Sequence, residues 1–462
     1  MRNVLMIAIA GTDTNFLLSM PTLKAYMYQF EDVRCRYDLI IYDYKESTLL
    51  CDILQDIQNT EYDILCLSSY IWNKERIEGI LQYETTTPII IGGPDIPSKL
   101  NPNVTKVDGF GEEAFYKLLM KKDPPKQSYA EYPSVYLTGA VNQRTLNNES
   151  LYVTLETSRG CNNRCAYCMY YKTLNKIIYR DPLEVIDELD YLYSIVGKKT
   201  SNILDSNFFA NEQHALTILN GITERHIKMK ICIGVISSFI TLKLIQACKN
   251  YLAQGGDLLI CIGIQSTNNT VLKEIQRPLL VKPLFEAQIK QLQDAGVMMG
   301  LDLIIALPKD TKESYYASVE YLCTFMRYNR AYPNCNILHI IDNTTIAERV
   351  EQYHYVLDEF NRVISSPTMT HDEIVDCMLV SLVIRRLFDP SDIDAKRYEV
   401  RHAFFSALER QQCTSITLIE QILTKIKVDL FGQKFGSNMP DQRLLQTQMR
   451  TDIPYKWLLE NL

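Results

Sequence analysis

The sequence predicts an α/β protein with two parallel sheets, followed by a helical region. Apolar runs alternate with amphipathic stretches at the start of the chain, near residues 3–11, 37–44, 62–70 and 87–94. Runs of this length separated by helices are typical of parallel strands buried on both faces. We therefore expect a doubly wound domain over residues 1–120.

A second series of strand–helix units follows a polar, proline-containing linker at 121–150. Six apolar segments alternate with helical patterns in this series, at 151–157, 201–208, 228–235, 257–266, 297–308 and 336–342. Six such units in tandem predict a partial (β/α)6 barrel over 151–345. The helical region at 346–462, with amphipathic stretches at 346–364, 371–387 and 413–429, is expected to cover the substrate.

Composition excludes several classes of function. The net charge is −7, which gives no reason to expect binding to nucleic acid or anionic membranes. The sequence contains no apolar run of the roughly 18 residues that a membrane span needs. Most of the 13 cysteines stand singly in apolar segments, which is typical of a reducing cytoplasm, and we expect a cytoplasmic protein.

One cysteine group is closely spaced. Cys161, Cys165 and Cys168 lie in TSRGCNNRCAYCMYYK, directly after the first strand of the predicted barrel. The loop after a barrel strand lies at the face where active sites are built, and Gly160 allows close approach of the backbone to a cluster. Iron–sulfur clusters usually take four cysteines, so three leave one iron open for a substrate.

Two alternatives to a cluster are a structural zinc site and chance clustering. Zinc would need a fourth Cys or His nearby, and the next histidine is His214.

The motif CNNRCAYC resembles the cysteine signature of radical S-adenosylmethionine (SAM) enzymes. The segments SNILDSNF (201–208), CIGIQS (261–266) and GLDLIIALPKDTKES (300–314) resemble three further strands of that family, although Ala306 and Lys309 replace residues that are often Gly. The resemblance implies a [4Fe-4S] cluster on the three cysteines and SAM contacts from Tyr167, Asp205, Asn207, Gln265, Ser266 and Leu303. From the residues alone, Asp205 could instead cap a helix and Gln265 could bond a loop.

The first domain resembles the cobalamin-binding domain that precedes the barrel in many radical SAM enzymes. The matching pieces are 67–73, 89–96 and 108–119, with Gly92 and Gly93 placed to let a flat ligand approach. The sequence lacks an Asp-x-His-x-x-Gly motif, so it offers no histidine ligand for cobalt in that way. Many radical SAM enzymes with such a domain also lack this motif, so cobalamin stays possible. The alternatives are a domain without the cofactor and a simple Gly-Gly turn.

The layout also resembles radical SAM epimerases that act on ribosomally made peptides of the proteusin type. This resemblance implies a precursor peptide with a leader as substrate, a flavodoxin or ferredoxin as reductant, and a thiol as hydrogen donor. Cys377 is the first candidate donor and Cys335 the second, while core packing is the alternative for Cys377. Two other functions stay open: a cobalamin-dependent methyltransferase acting on a peptide or small molecule, and a peptide-binding protein with a structural cluster.

Overall fold

The computed structural model describes residues 1–148, 150–174, 176–328, 330–388, 396–429 and 455–462. The first sheet has five parallel strands in the order β2-β1-β3-β4-β5. These strands are β1 (Arg2–Ile9), β2 (Tyr37–Tyr44), β3 (Ile64–Ser68), β4 (Ile89–Gly92) and β5 (Val104–Lys106). The surrounding helices are α1 (Ser19–Tyr28), α2 (Glu31–Arg34), α3 (Leu50–Gln58), α4 (Lys74–Tyr83) and α5 (Gly111–Met120).

The sheet is buried on both faces because successive side chains of a strand point in opposite directions. Val4, Met6 and Ala8 belong to one apolar cluster, whereas Leu5 and Ile7 belong to another. The doubly wound architecture is therefore confirmed. The short strand β5 was not predicted, since Val104 is half-buried, Thr105 and Lys106 are exposed, and the segment lacks an apolar run.

The segment 121–150 is packed against the rest of the chain. It contains the short helix α6 (Gln143–Asn147) and buries Val135, Tyr136 and Leu146 in the same apolar cluster as the second domain. The Tyr136 hydroxyl also accepts a hydrogen bond from the backbone N–H of Thr154, at 3.1 Å. This segment therefore packs against the second α/β unit and is more than a polar connection.

The second sheet has six parallel strands in the order β13-β12-β11-β10-β9-β6. Its strands are β6 (Val153–Leu155), β9 (Thr200–Ile203), β10 (Lys230–Val235), β11 (Asp257–Gln265), β12 (Met298–Ile305) and β13 (Ala331–Ile337). The helices between them are α8 (Pro182–Val196), α9 (Glu212–Glu224), α10 (Leu242–Ala253), α11 (Asn269–Glu274), α12 (Lys282–Asp294) and α13 (Lys312–Cys323). The partial barrel is confirmed, but its sixth strand begins five residues earlier than predicted.

The region after the barrel is helical except at its start. Residues 346–364 were expected to be helical, but the structure places the antiparallel strands β14 (Val356–Leu357) and β15 (Val363–Ser365) there. His354 and Asn361 adopt φ of +50° and +60°, which a continuous helix cannot accommodate. The later helices are α14 (His371–Phe388), α15 (Lys396–Gln411), α16 (Ser415–Asp429) and α17 (Tyr455–Asn461).

Within the described part of the chain, every helix is too short or too polar to cross a lipid bilayer.

Candidate active site

The cysteine loop leaves the barrel wall immediately after β6. A small hairpin closes it, formed by β7 (Ser158–Arg159) and β8 (Ile178–Tyr179), and the short helix α7 (Tyr170–Thr173) follows the third cysteine. Gly160 has φ of +94°, and a Cβ atom there would lie 2.0 Å from the carbonyl oxygen of Lys176. Only glycine fits this tight entry to the loop.

The three cysteines lie on one loop that two backbone hydrogen bonds anchor to the barrel. Cys161 and Cys165 are buried, and Cys168 is partly exposed. Between the last two, the N–H of Ala166 donates to the carbonyl of Ile275 at 2.9 Å, and the N–H of Ile346 donates to the carbonyl of Ala166 at 3.0 Å. The loop is therefore held from two sides of the barrel mouth.

Donors are aimed at two of the three sulfur atoms. The backbone N–H of Asn163 lies 3.4 Å from Cys161 Sγ, and Arg277 Nη1 lies 3.1 Å from Cys165 Sγ. Burial raises the pKa of the Cys168 thiol to about 11. Iron binds thiolates, and N–H donors and a nearby cation stabilise them, so this donor set fits an iron–sulfur cluster.

Among the residues that the structure describes, no group of three or more His, Cys, Asp or Glu side chains is arranged to hold a single metal ion. This arrangement differs from the one a cluster requires, because each cysteine of a [4Fe-4S] cluster binds a different iron. The absence of a single-ion site among these residues is therefore compatible with a cluster on the three cysteines.

Asp205 is buried and holds the start of the cysteine loop. Its carboxylate accepts backbone N–H bonds from Thr157 at 2.7 Å and Ser158 at 3.1 Å, and hydroxyl bonds from the same two residues at 2.5 and 2.7 Å. Burial raises the pKa of Asp205, and these four hydrogen bonds oppose that rise. The structure thus gives Asp205 a positioning task in place of the helix cap, while its contact with SAM stays a prediction.

The other polar residues predicted to contact SAM are buried near the same strand ends. The amide oxygen of Asn207 accepts from the N–H of Ile236 at 3.2 Å, and its amide nitrogen has no hydrogen-bond partner. Gln265 ends β11 with φ of +70°, at an irregularity in the pairing with β12. Ser266 is buried and its hydroxyl accepts from the N–H of Asn268 at 3.1 Å. An unpartnered buried amide and a strained backbone are both features of ligand sites.

The aromatic residue of the motif, Tyr167, packs beside the cysteines. Its hydroxyl is hydrogen-bonded to Cys165, and burial raises the pKa of the phenol. Tyr167 therefore supports the cysteine loop directly, and its contact with SAM remains a prediction.

Strand register separates the inner and outer faces of the barrel wall. Cys335 is hydrogen-bonded to Tyr315 of α13 and Ser381 of α14, so it faces the outer helices. Leu303 pairs with Cys335 in register, lies on the same outer face and is fully buried. These side chains face away from the lumen, and the predicted roles of Leu303 at SAM and of Cys335 as donor are not supported by this placement.

Cys377 also lies in the outer layer. It is fully buried on α14, and its carbonyl accepts a hydrogen bond from the Ser381 hydroxyl at 2.6 Å. Ser381 in turn bonds Tyr315 at 2.7 Å, which places this stretch of α14 against α13. Burial raises the pKa of the Cys377 thiol. Core packing, the alternative noted from the sequence, accounts for this placement.

The inner face carries polar and small residues that sequence reasoning missed. Asp302 pairs in register with Asn334, whose amide donates to its carboxylate at 3.2 Å. Cys261 pairs with Gly300, two positions before Asp302, and therefore also faces the lumen. Burial raises the pKa of Asp302 to about 7. The signal in the sequence was the polar Asp302 between Leu301 and Leu303 in an otherwise apolar strand.

Arg277 was also missed, although it touches the cysteine loop. Its guanidinium joins Cys165 to the carbonyl of Gly263, 2.6 Å from Nη2. A Cβ atom on Gly263 would lie 2.7 Å from Arg277, so the glycine makes room for this side chain. Arg277 lies in the connection after α11, where no periodic pattern marks it.

Ala306 and Lys309, the two departures from the family pattern, adopt φ of +65° and +64°. Left-handed backbone favours glycine, so this geometry explains why related sequences often have Gly there.

In the first domain, the two predicted ligand glycines differ. Gly93 has φ of +119°, and a Cβ atom there would lie 2.0 Å from the carbonyl oxygen of Ser69, whereas Gly92 has ordinary space. The conformation of Gly93 thus serves the packing of β4 against the loop after β3. Approach of a ligand to Gly92 or Gly93 stays a prediction.

The carboxyl edge of the first sheet lies beside the cysteine loop. In sheets of the order 2-1-3-4-5, ligands bind at the carboxyl edge where the strand order reverses, here between β1 and β3. Arg159, two residues before Cys161, forms an ion pair with Glu112 of α5 at 2.5 Å. In the loop after β1, the amide oxygen of Asn15 accepts a hydrogen bond from the amide of Asn202 on β9 at 3.0 Å. The apolar side chains of Ile71 and Phe110 remain partly exposed at this edge.

The barrel region is similar in sequence to a known family of proteins. The model of the radical SAM superfamily matches residues 155–322. A Methanocaldococcus jannaschii protein named as a methylthiotransferase is 22% identical over 270 residues, 56% of each chain. The cobalamin-dependent radical SAM methyltransferase TokK of Streptomyces tokunonensis is 23% identical over 72% of this chain and 54% of TokK. The chain thus spans little more than half the length of these two relatives.

The fold as a whole has a solved counterpart. The structure of the cobalamin-dependent S-adenosylmethionine radical enzyme OxsB with aqua-cobalamin and SAM matches with a TM-score of 0.63 at 14% identity. The match covers 100% of this chain and 78% of OxsB. Residues 155–322, which include the three cysteines, therefore form a radical SAM domain, whose cofactors are a [4Fe-4S] cluster and SAM.

Proposed function

We propose that this protein is a cobalamin-dependent radical SAM methyltransferase. The observation that carries the proposal is the juxtaposition of the carboxyl edge of a 2-1-3-4-5 sheet and the cysteine loop, which the ion pair between Glu112 and Arg159 joins. TokK is named as a cobalamin-dependent methyltransferase, which supports methyl transfer, and the matching OxsB structure contains aqua-cobalamin, which supports the use of a corrinoid.

Cys161, Cys165 and Cys168 would hold the cluster. When bound there, a [4Fe-4S] cluster with SAM on its open iron supplies reductive cleavage of SAM to a 5′-deoxyadenosyl radical. Arg277 and the N–H of Asn163 stabilise the cluster thiolates, and Asp205 fixes the loop that carries them. The unpartnered amide nitrogen of Asn207 and the strand-end position of Gln265 support the proposal that both residues bind SAM.

A corrinoid would lie at the edge of the first domain between β1 and β3. It would supply a methyl group to a substrate carbon when bound there. The exposed Ile71 and Phe110 offer apolar surface to such a large ring, and the substrate would enter the lumen toward Asp302 and Asn334. The substrate class remains open between a peptide and a small molecule, and flavodoxin or ferredoxin remains the expected reductant.

Peptide epimerisation has less support than methyl transfer. Both of its expected hydrogen donors, Cys377 and Cys335, lie on the helix side of the barrel wall. The names of the two relatives specify methyl or methylthio transfer.

The test is anaerobic turnover of the reconstituted protein with SAM, dithionite and hydroxocobalamin. Methyl transfer from SAM leaves S-adenosylhomocysteine, whereas radical formation leaves 5′-deoxyadenosine. We expect both products with hydroxocobalamin and 5′-deoxyadenosine alone without it. Formation of 5′-deoxyadenosine alone under both conditions would contradict the proposal.

A matched pair of variants locates the corrinoid. Ile71→Asp places a charge at the proposed edge, and Leu242→Asp makes the same change at an exposed site on α10. We expect Ile71→Asp to lose S-adenosylhomocysteine and keep 5′-deoxyadenosine, and Leu242→Asp to keep both. Equal behaviour of the two variants would place the corrinoid elsewhere.

A further inference from the structure

A buried ionic network joins the first domain to the cysteine loop. At its centre is Arg159, which stands two residues before Cys161 and is 8% exposed. Its guanidinium contacts Glu112 Oε1 at 2.5 Å and Glu156 Oε2 at 2.8 Å. Glu112 belongs to α5 of the first domain, so one side chain spans both units.

Aromatic rings enclose the same guanidinium. Phe110 of the first domain lies 4.9 Å from it, and Tyr129 of the connecting segment lies 4.3 Å from it, measured to the ring centroids. The hydroxyl of Tyr129 donates to Glu156 at 3.4 Å. Arginine is suited to this position because its planar group stacks on rings while its edge binds carboxylates. Lysine would keep the charge and lose this geometry.

A second arginine extends the network to the barrel. Arg180 follows β8, pairs with the buried Glu188 of α8 at 2.7 Å and donates to the carbonyl of Glu156 at 3.0 Å. Its backbone N–H donates to the carbonyl of Thr157 at 2.9 Å. Each side of the hairpin that closes the cysteine loop therefore carries a buried arginine.

The position of Glu112 gives this network a consequence. Glu112 lies in the first turn of α5, shortly after Gly109 and Phe110, at the carboxyl edge of the first sheet. This is the edge at which ligands of such sheets bind. The ion pair between Glu112 and Arg159 therefore links the position of this edge to the position of the cysteine loop.

We infer that Arg159 is a positioning residue through which the ligand edge of the first domain and the cysteine loop hold each other in place. The coupling is reciprocal, because any interaction that links two sites acts on both. The inference depends on these ion pairs and rings and does not depend on which group the enzyme transfers. Cutting the link on the first-domain side should therefore loosen the loop around the three cysteines, although Glu112 contacts this segment only through Arg159.

The experiment compares Glu112→Gln with Glu113→Gln in the full-length, cluster-reconstituted protein. Glu113 is the next residue on the same helix and is exposed, so it provides a matched control. Hydrogen exchange of the amides of 158–168 and the rate of iron release to bathophenanthroline are measured. We expect both to rise by about tenfold in Glu112→Gln, because the local opening is no longer restrained, and to stay unchanged in Glu113→Gln.

Two further variants make the test decisive. Phe110→Ala removes a ring that is 42% exposed, so the fold is retained, and we expect a smaller increase of roughly threefold. In the double variant Glu112→Gln/Arg159→Gln, we expect the effect of Arg159→Gln alone, since both substitutions cut one connection. The inference is overturned if Glu112→Gln matches Glu113→Gln in both measurements, or if the double variant is additive.

The exchange readout separates this inference from the proposed function. Failure of methyl transfer would leave the exchange difference intact, whereas a rigid cysteine loop in Glu112→Gln would overturn the coupling and leave methyl transfer possible.

Discussion

The inner and outer faces of the barrel wall have different chemistry. The inner face carries Cys261, Asp302 and Asn334, whereas the outer face at the same strands carries Leu301 and Leu303. Adjacent residues on one strand therefore serve different purposes, since one faces the lumen and the next packs against helices. A residue's place in a motif does not decide its role until its face is known.

The largest expected effect is at the cysteine loop. Cys165→Ala removes the thiolate that Arg277 contacts, and we expect iron to fall from about four per chain to near zero and 5′-deoxyadenosine to disappear. Cys335→Ala, an outer-face cysteine, is the control and should keep its iron. Full iron content in Cys165→Ala would show that this loop does not hold the cluster.

The next effect concerns the charge of the inner face. Burial raises the pKa of Asp302 to about 7, well above its value in an unfolded chain. Between about pH 4 and pH 7 the unfolded chain releases this proton while the folded protein retains it, so stability falls as pH rises through that window. The loss is up to about 4 kcal/mol if the full shift is realised.

The substitution Asp302→Asn removes the contribution of Asp302 to the pH dependence of stability. We expect the variant to gain stability relative to the parent between about pH 5 and pH 8, measured as the urea midpoint of the cofactor-free protein. The exposed Asp257→Asn is the control on the same sheet. A parallel pH profile for parent and Asp302→Asn would show that Asp302 is solvated and ionised.

A smaller effect on stability is expected at two glycines of the first domain, and it should differ between them. Gly93→Ala would bring Cβ to 2.0 Å from Ser69, and we expect a loss of roughly 2–4 kcal/mol from strain and overpacking. Gly109→Ala has a positive φ of +76° but open space, so we expect about 1 kcal/mol. Thermal midpoints compare the two, and equal losses would contradict the close packing at Gly93.

Replacing Ala306, which has a left-handed backbone at the barrel rim, should increase the stability of the protein. Ala306→Gly relieves a φ of +65°, and we expect stabilisation of up to about 1 kcal/mol. A lower urea midpoint for Ala306→Gly would indicate that the alanine side chain, which is buried, contributes more by packing than it costs in strain.

The smallest expected effect is at Cys377. Because this thiol lies between outer helices, Cys377→Ala should leave the yields of 5′-deoxyadenosine and S-adenosylhomocysteine within about twofold. Retention of 5′-deoxyadenosine with loss of a D-residue in a peptide product would restore the thiol-donor hypothesis.

The sequence predicted the parts of the molecule that leave a local signal. Apolar runs marked four strands of the first sheet and the six of the barrel, and the spacing of Cys161, Cys165 and Cys168 marked the cysteine loop. The boundary of β13 was placed five residues late, so Cys335 was taken to stand at the start of this strand and not within it. Asp302 was missed because the apolar run at 297–308 was predicted as a strand without assigning its two faces.

Contacts between distant parts of the chain leave no local signal. Arg277 reaches Cys165 across 112 residues, and Arg159 reaches Glu112 across 47. Each arginine in isolation resembles an ordinary surface charge. Asp205 was predicted to contact SAM, which stays a prediction, and its four bonds to Thr157 and Ser158 emerge only once the strands are assembled.

A cofactor inventory of anaerobically purified, hydroxocobalamin-supplied protein tests the central claim most directly. Iron, sulfide and corrinoid are quantified together on the same sample. We predict about four irons and about one corrinoid per chain. Four irons with no corrinoid retained would contradict the proposed function, because the cluster would then face a first domain that carries no methyl donor.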